Sequence, residues 1–240
     1  LLVNTGFEKQ IPKEEVYDID WNDLEKSSDI NQFIMPSFND AGEADNSFSS
    51  DSRTYEKHRR SKSIASLPAA KGCIARCTFC HRFTQGIRYI PIEILENRVV
   101  YLINEYNIGF LKIVDENFGT DQRWLNDFCM LMKKYDLLWR VGGMRVTIAS
   151  LEKLQIMKTS GCVGAIYGME TGSETMLKVM EKRVKLEDNY KALKWTIDSG
   201  LSTTLQLILG MPGESPKTIS ETSRFAQYGM SISPEQCPID

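Results

Sequence analysis

Nowhere in this chain do about 18 apolar residues run together, and no charged-then-apolar leader opens it, so neither a membrane span nor a secretory signal is visible. Excess charge of either sign is also missing. The 29 Lys and Arg nearly balance 32 Asp and Glu, a net charge of −3, which gives no basic face for duplex nucleic acid or an acidic membrane surface. Cysteine is scarce and unevenly spread: of six, three crowd together, where a disulfide framework in a small secreted domain would be denser and more regular. What remains is an ordinary globular composition, 42% hydrophobic and 25% charged over 240 residues, enough for a full core in one large domain or one domain plus an appendage. The compartment these absences imply is the cytoplasm.

From Pro91 onward one pattern repeats: an amphipathic helical stretch, a Gly or Asn stop, then a short apolar run. "PIEILENRVVYLINEYN" sets Ile92, Leu95, Val99, Leu102, Ile103 and Tyr106 at helical spacing and leads to "IGFLKIVDE". "DQRWLNDFCMLMKKYD" carries Trp124, Phe128, Leu131, Met132 and Tyr135 on one stripe and leads to "LLWRVGGMRV". Three more units follow, ending in "CVGAIYGME", "LSTTLQLILG" and "MSISPEQCPID"; Gly161, Gly200 and Gly229 each close a helical stretch. Such alternation predicts βα units and a parallel sheet, since parallel neighbours need a crossover. Counting a strand just before Cys73, the chain holds five full units and the start of a sixth strand. Periodicity does not choose between a doubly wound sheet and a barrel, but either gathers ligands at the carboxyl ends of the strands.

The N-terminal part differs. Residues 37–53, "SFNDAGEADNSFSSDSR", are rich in Ser, Asn, Asp and Gly and predict a mobile loop within a connector spanning residues 1–63. The chain opens "LLVNTGFEK" without an initiator Met and stops inside an apparent strand, so we expect it to be a piece of a longer polypeptide.

The crowded cysteines lie in "KGCIARCTFCHRF": Cys73, Cys77 and Cys80, spaced C-x3-C-x2-C, with His81 next. Zinc with His81 as fourth ligand is one reading, although adjacent side chains such as Cys80 and His81 diverge rather than converge. Packing or redox pairing is another. A third is a cubane [4Fe-4S] cluster with three thiolates, which leaves one iron open to a substrate or cofactor. The isolated Cys129, Cys162 and Cys237 read as core residues. His81, Arg82 and Arg88 flank the loop and either face the substrate or sit at the surface.

With Phe79 as the aromatic, C-x3-C-x-aromatic-C resembles the signature of the radical S-adenosylmethionine (SAM) enzymes. The resemblance covers roughly residues 64–240, which we take as the core domain. "FLKIVDENFG", "GMRVT", "AIYGMETGSETMLKVMEKRV" and "LQLILGMPGES" are similar, in order and spacing, to the second to fifth strand exits of the subclass that often carries a cobalamin domain. "LGMPGES" is not a phosphate loop, because it lacks the Gly-Lys-Ser/Thr ending.

The resemblance implies a partial (β/α)6 barrel of the TIM type, its last strand incomplete in this chain. It implies a [4Fe-4S] cluster on Cys73, Cys77 and Cys80, chelated by SAM and reduced by a flavodoxin or ferredoxin, that cleaves SAM to a 5'-deoxyadenosyl radical for substrate C–H activation. Phe79 and Gly210 would lie near the adenine, and Asp115 or Glu116 would accept from the SAM ammonium. Arg145 would pair with the SAM carboxylate or an internal acid. Glu170 would bond the ribose, with Ser173 in the turn after it, and Lys182 would also line the SAM site. Methyl transfer with cobalamin is one outcome the subclass implies; the cobalamin would sit in a domain upstream, for no Asp-x-His-x-x-Gly motif occurs and His58 and His81 are the only histidines. The substrate, a small molecule or peptide, is not specified. The contrasting reading is a zinc- or cluster-binding interaction module without turnover.

Overall fold

The computed structural model describes residues 21–30, 33–35, 51–81 and 86–237. Most of the polar stretch 37–53, and Arg82, lie outside them. A short helix α1 (Trp21–Ser27) and strand β1 (Ile34–Met35) precede β2 (Ser63–Leu67); a small ribbon follows, β3 (Ala70–Lys71) with β4 (Arg88–Tyr89). Then come α2 (Ile92–Tyr106), β5 (Ile108–Ile113), α3 (Gln122–Lys134), β6 (Leu138–Met144), α4 (Leu151–Thr159), β7 (Cys162–Glu170), α5 (Glu174–Val179), α6 (Leu186–Asp198), β8 (Leu205–Leu207) and α7 (Pro216–Ile232).

The main sheet runs β1-β2-β5-β6-β7-β8, with β1 antiparallel and every other neighbouring pair parallel. This is the expected α/β architecture, an incomplete barrel of five parallel strands. The strands are apolar on both faces, as parallel strands covered on both sides must be. One set of side chains packs under the helices, including Leu111, Trp139, Val141 and Tyr167, while Ile64, Phe110, Leu138 and Val163 meet in a second cluster. Three helices end where the sequence placed a stop: Asn107 takes a left-handed φ of 53°, and Gly161 and Gly200 take φ of 102° and 70°.

Two expectations change. Gly229 does not close a helix; it lies inside α7, buried, where a Cβ would stand 2.7 Å from Leu205 Cδ1 and 3.2 Å from Cys237 Sγ. Its missing side chain lets α7 lie on the end of the sheet. Met230–Ile232 consequently continue the helix, Ser233–Cys237 turn, and no sixth parallel strand begins among the described residues. Cys129, Cys162 and Cys237 are buried, as their isolation suggested.

The described residues ahead of β2 pack against the barrel. Ile34 is buried in the core and β1 extends the sheet beside β2. Asp51 is buried, 2.7 Å from Arg53 Nη2 and 2.7 Å from Lys158 Nζ, while Arg53 donates to the carbonyls of Lys158 and Cys162 at the amino end of β7. Burial alone would raise the Asp51 carboxyl; the hydrogen bonds from Arg53 and Lys158 outweigh it and hold the group down to about 2. A carboxyl lower in the folded than in the unfolded chain contributes stability at neutral pH and loses it on acidification. Asp51→Asn should therefore cost about 1–3 kcal/mol in urea midpoints at pH 7. It should also flatten the decline that the unmodified protein shows as pH falls from near 4 toward 2; an equally steep acid limb in the variant would show that other carboxylates set it.

Candidate cofactor site

Antiparallel pairing of Ala70 with Tyr89 and Lys71 with Arg88 closes the base of the cysteine loop, and Gly72, at φ 90°, turns the chain into it. Inside the loop the Ala75 N–H donates to Cys73 Sγ over 3.4 Å and the Cys80 N–H to the Cys77 carbonyl over 3.2 Å. Thr78 fastens the loop to the turn after α5, its N–H donating to the Met180 carbonyl and its Oγ1 to that of Val179. The result is a cavity of about 220 Å³ at the carboxyl ends of the strands, lined by Cys73, Cys77, Cys80, Phe79, Glu116, Arg145, Glu170 and Lys182. None of the three cysteines is in a disulfide; Cys73 and Cys77 are half-buried and Cys80 is exposed.

The donor set discriminates between metals. A structural zinc ion draws four ligands to about 2.0–2.3 Å of one point. Among the described residues no three His, Cys, Asp or Glu side chains converge to hold an ion, and His81 does not line the cavity. A cluster asks less convergence, because each thiolate bonds its own iron. Three thiols on one wall, with the other three cysteines locked in the core, fit a cluster with one iron left to a non-cysteine ligand.

Glu170 ends β7 with φ 64°, an uncommon conformation for a residue with a side chain, just after a register shift in the β7–β8 pairing. Its carboxylate accepts from Lys182 Nζ at 2.6 Å, and both residues are buried. Lys182, expected in the SAM site, lies in the turn beyond α5 and lines the cavity, 5.6 Å above the Phe79 ring. Arg145 follows β6 and pairs with no acid among the described residues: its Nη2 donates to the Lys182 carbonyl at 2.7 Å.

The two acids after β5 part company. Glu116 is exposed and lines the cavity. Asp115 is 5% exposed, does not line it, and accepts the Ala69 N–H at 2.7 Å, tying the exits of β2 and β5 together; its Oδ2 has no partner among the described residues. Burial pushes its carboxyl up to about 7, against the lowering effect of the Ala70 and Ala69 N–H groups. Ser173 and Gly210 also stand outside the lining. Ser173 bonds Glu221 of α7, and a Cβ on Gly172 would collide with Phe225 and the α7 backbone, so this turn serves helix packing. Gly210, with φ 87° and open space around it, shapes the loop after β8, where its N–H meets Glu214 at 2.8 Å.

Five further residues line the cavity without having been singled out in the sequence: Ala75, Gly143, Met144, Gly168 and Gln206. Gly143, with φ 79°, lets the β6 exit press against the Asp115 backbone; Gly168 leaves the room that the Glu170–Lys182 pair fills; Gln206 reaches the cavity from β8. A polar residue interrupting the apolar run "LQLIL" was the one available signal for Gln206.

A thiol-lined cavity at the strand exits of a parallel α/β partial barrel is the class this chain belongs to by structure. The sequence pattern of the Radical SAM superfamily matches residues 67–226, and the chain is a member of that superfamily. It is 26% identical over 171 residues to the anaerobic magnesium-protoporphyrin IX monomethyl ester cyclase of Rubrivivax gelatinosus, covering 69% of this chain and 31% of that one. It is 27% identical over 173 residues to the cytidylyl-2-hydroxyethylphosphonate methyltransferase of Streptomyces wedmorensis, covering 69% and 32%. The chain thus spans about a third of the length of these relatives. In fold it is similar to the radical SAM methyltransferase TsrM of Kitasatospora setae, solved with cobalamin and a [4Fe-4S] cluster, at a TM-score of 0.61 and 18% identity over 69% of this chain and 32% of that one. No described helix is long and apolar enough to cross a membrane.

The raised Asp115 carboxyl carries its own test. A carboxyl higher in the folded than in the unfolded chain favours folding while protonated, a contribution lost as pH rises from about 4 through 7. Asp115→Asn keeps an acceptor for Ala69 and removes the titration. Its melting temperature should fall less between pH 5 and pH 8 than that of the unmodified protein; parallel curves would place Asp115 in a more solvated setting.

Proposed function

We propose that this chain is the catalytic core of a radical SAM enzyme, with residues 64–240 as the core and 1–63 as its connector. The observation that carries the reading is the shared cavity: Cys73, Cys77 and Cys80 from one loop face Glu116, Arg145 and Glu170 from three successive strand exits. When bound, a reduced [4Fe-4S] cluster and SAM supply a 5'-deoxyadenosyl radical able to take hydrogen from an unactivated carbon.

The chain's own residues bind and orient. Cys73, Cys77 and Cys80 would hold the cluster through their sulfurs, three ligands that leave room for SAM as the non-cysteine partner. Phe79 offers an apolar face for the adenine. Glu170, a rigidly held carboxylate, accepts from ribose hydroxyls, and exposed Glu116 accepts from the SAM ammonium. Arg145, with guanidinium donors beyond the one on Lys182, suits a carboxylate. Asp115, Ser173 and Gly210 support these groups by fixing strand exits and turns rather than by touching the cofactor.

The reaction follows the relatives by analogy. One is named as a cyclase of a porphyrin ester and another as a methyltransferase, and the fold neighbour carries cobalamin. We infer C–H functionalisation of a small molecule or peptide, with methyl transfer through cobalamin held by another domain as the favoured outcome, a flavodoxin or ferredoxin as reductant, and the cytoplasm as compartment.

The test is direct. Anaerobically reconstituted protein should hold about four irons and four sulfides per chain, and Cys73→Ala, Cys77→Ala and Cys80→Ala should each lose the brown chromophore, while Cys129→Ala keeps it. Given dithionite and SAM, the unmodified protein should form 5'-deoxyadenosine in clear excess over Cys80→Ala, measured by mass spectrometry. Equal traces, or stoichiometric zinc in place of iron, would leave an interaction module.

A further inference from the structure

Lys182 gathers more of the cavity wall than any thiol does. Its Nζ lies 2.6 Å from Glu170 Oε1 and 5.6 Å from the centre of the Phe79 ring. Its carbonyl receives Arg145 Nη2 at 2.7 Å, and its N–H donates to the Leu177 carbonyl at 3.1 Å. Two residues earlier, the Met180 carbonyl takes the Thr78 N–H from between Cys77 and Phe79. One turn thereby touches the cysteine loop, the β6 exit and the β7 exit.

The turn is held in a demanding shape. Glu181 and Arg183, on either side of Lys182, take left-handed φ values of 48° and 54°, which residues with side chains adopt only when their surroundings impose it. Gly168 leaves the space for the pair: a Cβ there would collide with Glu170 Oε1 and stand 3.0 Å from Lys182 Nζ. Removing either charge leaves the other buried, at a larger cost than the pair itself returns in stability. An arrangement that expensive is poorly explained as packing, and an ammonium already shared between a carboxylate and a ring face is poorly placed to serve as an independent ligand.

We propose that Lys182 is a positioning residue for SAM, acting through others: it fixes the Glu170 carboxylate in the orientation that meets the ribose and holds Phe79 against the adenine side of the cavity. This rests on the cofactor reading above. Its consequence is a coupling. Loss of Lys182 matters to SAM only while Glu170 is present as a carboxylate to be oriented.

The experiment is a double-substitution cycle on anaerobically reconstituted protein, with SAM affinity from calorimetry and the SAM-induced change in the electron paramagnetic resonance spectrum of the reduced cluster as readouts. Lys182→Met, which keeps the apolar stem, should retain the unmodified iron content and weaken SAM by about tenfold, as for a lost charge-assisted hydrogen bond. In a Glu170→Gln background the same change should weaken SAM by less than about twofold, near the limit of additivity for independent sites. An equal loss in both backgrounds means that Lys182 meets SAM itself and overturns the proposal, as does no loss in either. Should Lys182→Met fail to hold its iron, Gly168→Ala decides, since it displaces the pair while keeping both charges. Intact iron with about tenfold weaker SAM supports the positioning role, and unchanged SAM affinity overturns it. Failure of the unmodified protein to assemble a cluster, or to respond to SAM, would instead overturn the cofactor reading on which the proposal stands.

Discussion

Parallel pairing is the constraint from which the rest of the structure follows. Ile64 pairs with Phe110 and Phe110 with Leu138, and each strand that joins this ladder in the same direction must finish at the same edge. Each return then needs a helix, and the helices cover the outer face. The consequence for chemistry is geometric: residues far apart in the chain, such as Glu116 after β5 and Gln206 on β8, come to line one cavity because parallel strands bring their carboxyl ends to the same edge.

The two edges of the sheet are put to different uses. At the amino edge the charged side chains are closed into partnerships, Asp51 with Arg53 and Lys158, and Arg59 with Glu56 and Asp136. These tie the described residues ahead of β2 to the underside of the barrel. At the carboxyl edge hydrogen bonds hold the chain in place while Glu116 and Gln206 are exposed and the three loop thiols are in no disulfide. Strain accumulates on the same side, in the positive φ of Glu170, Glu181 and Arg183.

Glycine sets how closely these exits can come together. Gly143 brings the β6 exit onto the Asp115 backbone, and an aromatic cluster secures the loop beyond it, with Phe118 5.2 Å from Phe128 and 5.8 Å from Trp139, ring centre to ring centre. Glu116, two positions before Phe118, is thereby held in the cavity wall. Gly168 makes room for a buried ion pair, and Gly172 lets α7 seal the turn after β7. A methyl group at any of the three would move a wall of the site.

The sequence by itself determined what is local or periodic. C-x3-C-x2-C guarantees that three thiols share a loop, since no fold can separate residues so close in the chain. Helical stripes and apolar runs, punctuated by Asn107, Gly161 and Gly200, gave the α/β alternation because burial has a period in each element. Tertiary structure alone decided which way individual side chains face and what they meet. Asp115 and Glu116 are neighbours in sequence, yet one is buried against Ala69 and the other lines the cavity, because successive residues at a strand exit point to opposite sides. Gly229 read as a stop and is a packing contact. Lys182 is buried against a carboxylate 12 residues earlier in the chain, a pairing that depends on how a turn folds back over a strand and leaves no periodic trace in the residues between them.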